Sequence, residues 1–338
     1  MSSPSLDYDR LVGEILYFID GEHDATFDEM AQKVFAWQFA KNATYAAYCR
    51  TLGIESIERW QNIPAVPTDA FKIESQPLTT TPPDECIFCF HTSGTTQNKP
   101  GKHYMRTATT YSASIIRGWA HSELPDLQRF CIAPLTADSM HSSLSYMFMA
   151  LGAGNLMHPE GHVLTEPLKQ VTEPVILMST ALSFLHLMES GQSFPKLPDG
   201  SWLMETGGYK GTERSLTKLE LYAQLSSYFE IPPERIVNEY SMTELSSQFY
   251  TRGIGQPHES PPWTRVRIID PASGNEVAEG ETGCIAIYDL ANVDSVMAIQ
   301  TQDLAVKRDG GKFELLGRDP SALPRGCSIA ADEFFNRT

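Results

Sequence analysis

Between residues 86 and 240, short apolar runs alternate with longer helix-like stretches, and this alternation constrains the fold more than any other feature of the chain. CIFCFH (86–91), RFCIAP (129–134), PVILMS (174–179), SWLMET (201–206) and RIVNEY (235–240) have the length and apolar character of strands covered on both faces. Helix-like stretches at 106–121, 141–152, 180–190 and 213–229 lie between them. Strands joined by helices imply an α/β sandwich with a largely parallel sheet. Ligands of such sheets gather at the carboxyl ends of the strands.

The flanking regions differ in character. From Phe27, the residues Met30, Val34 and Trp37 recur at helical spacing, with Thr26 and Asp28 available to start the helix. PAVPTDAFK and PLTTTPPDE then break the chain, the second as a polar, proline-rich connector. From about residue 261 the runs RVRIID, GCIAIYD, VMAIQT, LAVKRD and FELLG are short and β-like, separated by Gly, Asp and Asn, as in a small antiparallel barrel or sheet. These shifts predict a large domain over 1–318, built from a helical part (1–80), α/β subdomains (81–260) and a β-rich lobe (261–318), followed by a tail over 319–338.

A formal net charge of −16 over 338 residues repels nucleic acid and anionic membrane, so any anion site must be built locally against the field of the whole chain. No apolar run approaches the length of a membrane span, and the start, MSSPSLDYDR, lacks the pattern of a secretion signal. The expectation is a cytoplasmic protein without an integral membrane segment or a nucleic-acid partner. Six scattered cysteines (49, 86, 89, 131, 284 and 327) then read as free thiols. Cys86 and Cys89, with His91 nearby, invite a zinc or redox reading. If 86–91 is one strand, however, residues three apart point to opposite faces and cannot share a metal.

At the end of the first apolar run stands HTSGTTQNKPGK (91–102). Ser/Thr/Gly-rich segments often serve only as turns. Here the backbone N–H groups and the hydroxyls of Thr92, Ser93, Thr95 and Thr96 could surround phosphate oxygens, with Gly94 allowing close approach. The GxxxxGK[ST] pattern of a Walker loop is absent.

TSGTT after a strand resembles the phosphate-binding loop of the adenylate-forming superfamily, which includes acyl-CoA synthetases, adenylation domains and luciferases. In the same order, ETGGYKG (205–211) resembles its adenine-contacting segment, EYSMTE (239–244) its Tyr-Gly-x-Thr-Glu motif, TQD (301–303) its Thr-Gly-Asp, and LLGR (315–318) its Gly-Arg. IPAVPTDAFK (63–72), GGYKG, EYSMTELSSQ (239–248) and PRGCSIAADEF (324–334) resemble more closely the LuxE-type acyl-protein synthetases, over nearly the whole chain from residue 27.

The resemblance implies the large α/β domain of an adenylate-forming enzyme, layered from largely parallel sheets with a small β-rich lobe. It implies that ATP and Mg²⁺ activate a carboxylic acid, in this family a fatty acid, as acyl-AMP. The acyl group would then pass to Cys327 as a thioester and on to a partner reductase or transferase. Thr92, Ser93, Gly94, Thr95 and Thr96 would hold phosphates, Gly207 and Gly208 would border the adenine, and Tyr240 would stack on it. Thr243 would bond the α-phosphate, Glu244 would ligate Mg²⁺, Asp303 would accept from the ribose with Arg318 beside it, and His141 would line the acyl pocket. Arg325 and a possible helix start at SIAADEFF would favour a Cys327 thiolate, while Asp332 and Glu333 would oppose it.

Ser241 and Gln302 occupy positions where the superfamily has glycine, which is tolerable if their φ angles are negative. The lid carrying a reaction-centre lysine is missing from the LuxE-type pattern, leaving Lys210 as a weak substitute. Three alternatives stay open: adenylation of an aromatic acid in secondary metabolism, a nucleotide-binding accessory protein without catalysis, and a metal protein using Cys86 and Cys89.

Overall fold

The structure is a computed structural model that describes residues 7–92, 100–133, 140–207 and 216–318, together with Phe334. It opens with three helices, α1 (Tyr8–Ile19), α2 (Phe27–Lys41) and α3 (Ala43–Thr51). Helix α2 starts at a reciprocal cap, in which Thr26 N–H donates to Glu29 Oε2 (2.7 Å) and Glu29 N–H to Thr26 Oγ1 (3.3 Å). Asn42 ends α2 and starts α3, its side chain accepting from Tyr45 N–H at 3.0 Å. A two-residue strand, β1 (Val66–Pro67), follows within the PAVPTDAFK segment.

The first long apolar run yields β2 (Phe88–His91), which pairs antiparallel with β3 (Lys102–Met105) as a separate hairpin. The expected parallel strand is absent because only ten residues join the two strands. A parallel crossover needs a dozen or more, usually with a helix.

Next come α4 (Thr109–His121), β4 (Gln128–Ile132), α5 (Ser143–Ala150), β5 (Gly154–Asn155), α6 (Glu166–Lys169), β6 (Val175–Thr180) and α7 (Ala181–Glu189). They are followed by β7 (Trp202–Thr206), α8 (Lys218–Phe229), β8 (Ile236–Tyr240) and β9 (Phe249–Arg252). The strands form one sheet in the order β5-β4-β6-β7-β8-β9, parallel except for β9.

Alternate residues serve the two faces. Leu177, Leu203 and Ile236 pack with Phe184, Leu221, Tyr222 and Leu225 of α7 and α8. Ile176, Met178, Met204 and Val237 pack with Tyr111, Ile115, Met147 and Phe148 of α4 and α5. Burying side chains of this size stabilises each by about 1.5–3 kcal/mol, which is why these strands read as continuous apolar runs.

The last part of the chain forms β10 (Thr264–Ile269), β11 (Thr282–Asp289), β12 (Ala298–Lys307) and β13 (Phe313–Arg318), joined by β1 in the order β1-β12-β11-β10 with β13 on β12. Only the β1–β12 pairing is parallel. VMAIQT and LAVKRD, which read as two runs, are mostly one ten-residue strand, β12. One core cluster joins α1, α2 and α3 to this sheet, through Phe35, Tyr45 and Tyr48 on one side and Ile285, Ile287 and Ile299 on the other. The helical beginning and the β-rich end are therefore packed together, although they stand far apart in sequence.

A buried polar cage fixes the turn after β8. Asp289 accepts from Ser246 N–H (3.0 Å), the Ser247 hydroxyl (2.7 Å) and Ala291 N–H (3.0 Å), and Asn292 Nδ2 donates to Glu244 O (2.8 Å). Burial nonetheless pushes the Asp289 pKa up to about 6. Asp289→Ala leaves these donors buried without an acceptor and should cost about 3 kcal/mol, at roughly 1–3 kcal/mol per stranded group with partial relaxation. The check is a urea titration in which the midpoint falls while the slope stays constant.

Candidate active site

The carboxyl ends of β6, β7 and β8, the end of β2, the start of α5 and the β12–β13 pair surround one cavity of about 940 Å³. It is lined by Thr92, His141, Gly207, Tyr240, Thr243, Glu244, Asp303 and Arg318, which are all of the expected site residues lying within the described segments. Ser93, Gly94, Thr95, Thr96, Gly208, Lys210 and Cys327 lie outside those segments.

Each residue is positioned by its element. Thr92 ends the β2 side of the hairpin, its N–H donating to Gly101 O (2.9 Å) and its Oγ1 accepting from Gly101 N–H (2.7 Å). His141 stacks on His91 with ring centroids 4.4 Å apart and planes 5° from parallel, and its Nδ1 lies 2.8 Å from Cys89 O. Thr243 Oγ1 donates to His91 O at 3.4 Å, so the turn after β8 is tied to the end of β2. Behind it, His103 Nδ1 meets Thr243 O at 2.6 Å. Burial holds that imidazole neutral, with a pKa near 4, which makes Nδ1–H the donor.

Tyr240 ends β8, with its ring packed against Phe249, His258 and Phe313 and its hydroxyl donating to Asp303 Oδ2 at 2.9 Å. Asp303 and Arg318 face each other across β12 and β13, next to an irregularity in the pairing. Gly317 sits at that irregularity with φ +106°, a backbone state that side-chain-bearing residues rarely adopt. Neither Ser241 nor Gln302 has a positive φ, so both stand without strain where the resemblance has glycine. Gln302 also acquires a part of its own. Its Nε2 donates to Asp69 Oδ2 (2.9 Å), Asp69 Oδ1 pairs with Lys72 (2.5 Å), and Gln302 Oε1 accepts from Arg318 Nε (3.1 Å). Lys72, Asp69, Gln302 and Arg318 thus form one chain along the rim.

Several lining residues were given no role by the motif reading, although four of them stand inside the segments that carry the resemblance: Asp69, Lys72, Glu205, Lys218, Asn238 and Glu239. Glu205 is fully buried and accepts from Lys218 Nζ (2.5 Å), Tyr222 Oη (3.0 Å) and Asn238 Nδ2 (2.8 Å). Glu239 is likewise buried, and its pKa is pushed up to about 7, chiefly by desolvation. The available signal was a carboxylate near the end of an otherwise apolar strand, where burial demands a partner or a ligand.

The cysteine pair takes another form from the one expected. Cys86 precedes β2, and its thiol donates to Thr81 O (3.7 Å) and Pro82 O (3.5 Å). Burial is the largest influence on both thiols, raising Cys86 to about 11 and Cys89 in the same direction, the opposite of what metal ligation or redox chemistry needs. Among the described residues, His158, Glu160 and His162 are a close group of ligand type, and none of them lines the cavity.

The sheet thus carries a donor-rich cavity at its carboxyl edge and an acid–hydroxyl pair, Thr243 and Glu244, on the turn after β8. The profile of the AMP-binding enzyme family matches residues 24–290, and the chain belongs to that family as an AMP-forming acid ligase. Within it, the chain is similar to LuxE-type proteins: it is 21% identical to a long-chain-fatty-acid–luciferin-component ligase of Vibrio harveyi, over 90% of this chain and 87% of that protein. An open conformation of 2-hydroxyisobutyryl-CoA ligase shares the fold with TM-score 0.66 and 15% identity, covering 87% of this chain and 70% of that one. Against ATP-bound MatB from Rhodopseudomonas palustris, at 16% identity and TM-score 0.49, the match covers 71% of this chain and spans about half (49%) of the other.

Proposed function

We propose that this enzyme activates a fatty acid with ATP and carries the acyl group on Cys327 for a partner reductase or transferase. The observation that carries the first half is the convergence of every candidate site residue within the described segments on one cavity. A carboxylate oxygen of the acid attacks the α-phosphorus of ATP, the bond to the β-phosphate oxygen breaks, and pyrophosphate leaves acyl-AMP behind. Negative charge concentrates at phosphorus in the transition state, so fixed donors and cations supply most of the catalysis.

In this reading Thr92 and the loop after it meet the departing phosphates, Thr243 donates to the α-phosphate, and Tyr240 offers its ring to adenine. Asp303 accepts from the ribose hydroxyls, with Arg318 beside it. The oxygen-rich wall of Thr92, Thr243 and Glu244 has the donor chemistry a hard cation takes, and Glu244 would hold Mg²⁺. When bound, that ion neutralises phosphate charge. His141, fixed by Cys89 O and His91, borders the acid.

In the second half-reaction the Cys327 thiolate attacks the acyl carbonyl and AMP leaves. Cys327 is nine residues beyond Arg318, a stretch that reaches at most about 30 Å when extended. Phe334, seven residues further on, packs on Tyr48 with ring centroids 5.8 Å apart. Arg318 itself lines the cavity, so the rim lies within that reach of about 30 Å.

The test is acid-dependent exchange of labelled pyrophosphate into ATP across saturated and hydroxylated fatty acids and aromatic acids of graded size. Exchange with fatty acids is the expected result. Exchange only with aromatic acids favours the secondary-metabolite alternative, and nucleotide binding without exchange favours the accessory-protein alternative.

A further inference from the structure

Away from the cavity, a hairpin at the β5 edge of the large sheet carries three groups of metal-ligand type. Met157 and Val163 pair antiparallel, Leu164 N–H donates to Leu156 O (2.6 Å), and His158 N–H donates to His162 O (2.9 Å). Gly161 N–H closes the loop on His158 O (2.9 Å), and Gly161 itself has φ +89°. Pro159, Glu160 and Gly161 thus form a three-residue hairpin loop ending in a left-handed glycine. The base is fixed to the body of the protein. Leu156 N–H donates to Cys131 O of β4 (2.8 Å), and Gln192 Nε2, just past α7, donates to the carbonyl of the buried Val163 (2.6 Å).

His158 and His162 flank the loop as cross-strand neighbours, whose side chains project from one face. Their rings stack with centroids 4.4 Å apart and planes 23° from parallel. Glu160, at the tip, places Oε2 3.8 Å from His158 Nδ1. As an ion pair alone this contact is weak, because at such exposure the attraction is largely screened. One ligand atom from each of the three residues lies within 4.8 Å of the others. A tetrahedral zinc ion with bonds of about 2.0–2.1 Å spaces its ligands roughly 3.4 Å apart. Small torsional adjustments of the exposed Glu160 and His162 side chains close that gap. Glu160 N–H also donates to His158 Nδ1 at 3.2 Å; an ion on that nitrogen displaces this long bond and leaves the exposed N–H to water.

Two imidazoles and a carboxylate form a nitrogen-rich set that suits zinc and not Mg²⁺, which prefers oxygen. The hairpin holds its backbone in place before any ion arrives, so little ordering entropy opposes binding. We propose that His158, Glu160 and His162 form a zinc site, with water completing the coordination and the ion clamping the two arms of the hairpin. None of the three lines the cavity, and the proposal is independent of the acid-activation reading.

The test titrates zinc chloride into chelator-treated full-length enzyme by calorimetry, with excess Mg²⁺ present to fill any oxygen-ligand site. Wild type is compared with Glu160→Gln and with the double variant His158→Ala/His162→Ala. Wild type should bind one zinc ion per chain at this site. The double variant should weaken that binding by roughly 100-fold or more and Glu160→Gln by about tenfold, since losing even an outer-shell partner costs roughly 10–100-fold. Zinc should raise the thermal midpoint of wild type and not that of the double variant. Cobalt(II) in place of zinc separates this site from the cysteines on unaltered protein, giving weak d–d bands without the intense charge-transfer band of a thiolate. That spectrum and Glu160→Gln decide the matter if the double variant folds poorly. No zinc binding by wild type, unchanged affinity in the folded variants, or a thiolate band at one equivalent of cobalt overturns the proposal.

Discussion

Glu244→Gln should lower acid-dependent pyrophosphate exchange by about 10²–10³-fold, the scale seen when one charge-stabilising group is removed from a preorganised site. The substitution keeps the side chain's size and alters one charge. Glu244 is 7% exposed on a turn whose backbone is held by Asn292 and, one residue earlier, by His103. Those contacts are made by main-chain oxygens and survive the change. The denaturation midpoint should therefore move little while exchange collapses, and a higher Mg²⁺ concentration should be needed for half-maximal rate. Exchange within threefold of wild type, with unaltered Mg²⁺ dependence, would remove Glu244 from the metal role.

Cys327→Ala should separate the two half-reactions. Acyl-AMP formation needs the cavity and the nucleotide, so pyrophosphate exchange should stay within about twofold of wild type. The hydroxylamine-labile acyl adduct should disappear entirely, because sulfur attack on the adenylate is the step that makes it. Loss of exchange along with the adduct would mean that the tail also helps assemble the adenylation site. An adduct that persists in the variant would move the carrier to another residue. Cys49, Cys131 and Cys284 are poor candidates, since each is buried, and burial pushes Cys49 and Cys131 up to about 12.

Much of the sheet was legible because strands covered on both faces must be apolar along their whole length. RFCIAP, PVILMS, SWLMET and RIVNEY became β4, β6, β7 and β8 within a residue or two at each end. CIFCFH met the same criterion and still went elsewhere, since apolar character does not distinguish a parallel strand from an arm of a hairpin. The ten-residue connection to β3 decided it. Gln302 and Asp303 made β12 look like two runs, because polar residues inside a strand read as a turn when the cavity they border is out of view.

The site divided in a similar way. Tyr240, Thr243, Glu244, Asp303 and Arg318 sit in motifs whose order along the chain is distinctive, and the fold brings them together. Glu205 and Glu239 open two of those motifs, but whether a carboxylate near a strand end faces water, a lysine or a ligand depends on the elements packed around it. Lys218 and Thr206 supply partners here, and both belong to other elements of the sheet and its helices. The Lys72–Asp69–Gln302–Arg318 chain was invisible for the same reason, since it joins residues separated by more than two hundred positions.

The most direct measurement is intact mass followed by peptide mapping, after incubating the purified enzyme with ATP, Mg²⁺ and the acid that gives the fastest pyrophosphate exchange. The account predicts a mass increase equal to one acyl group less one hydrogen, located on the peptide containing Cys327 and released by hydroxylamine. An unmodified protein in a reaction that is steadily releasing pyrophosphate would contradict it.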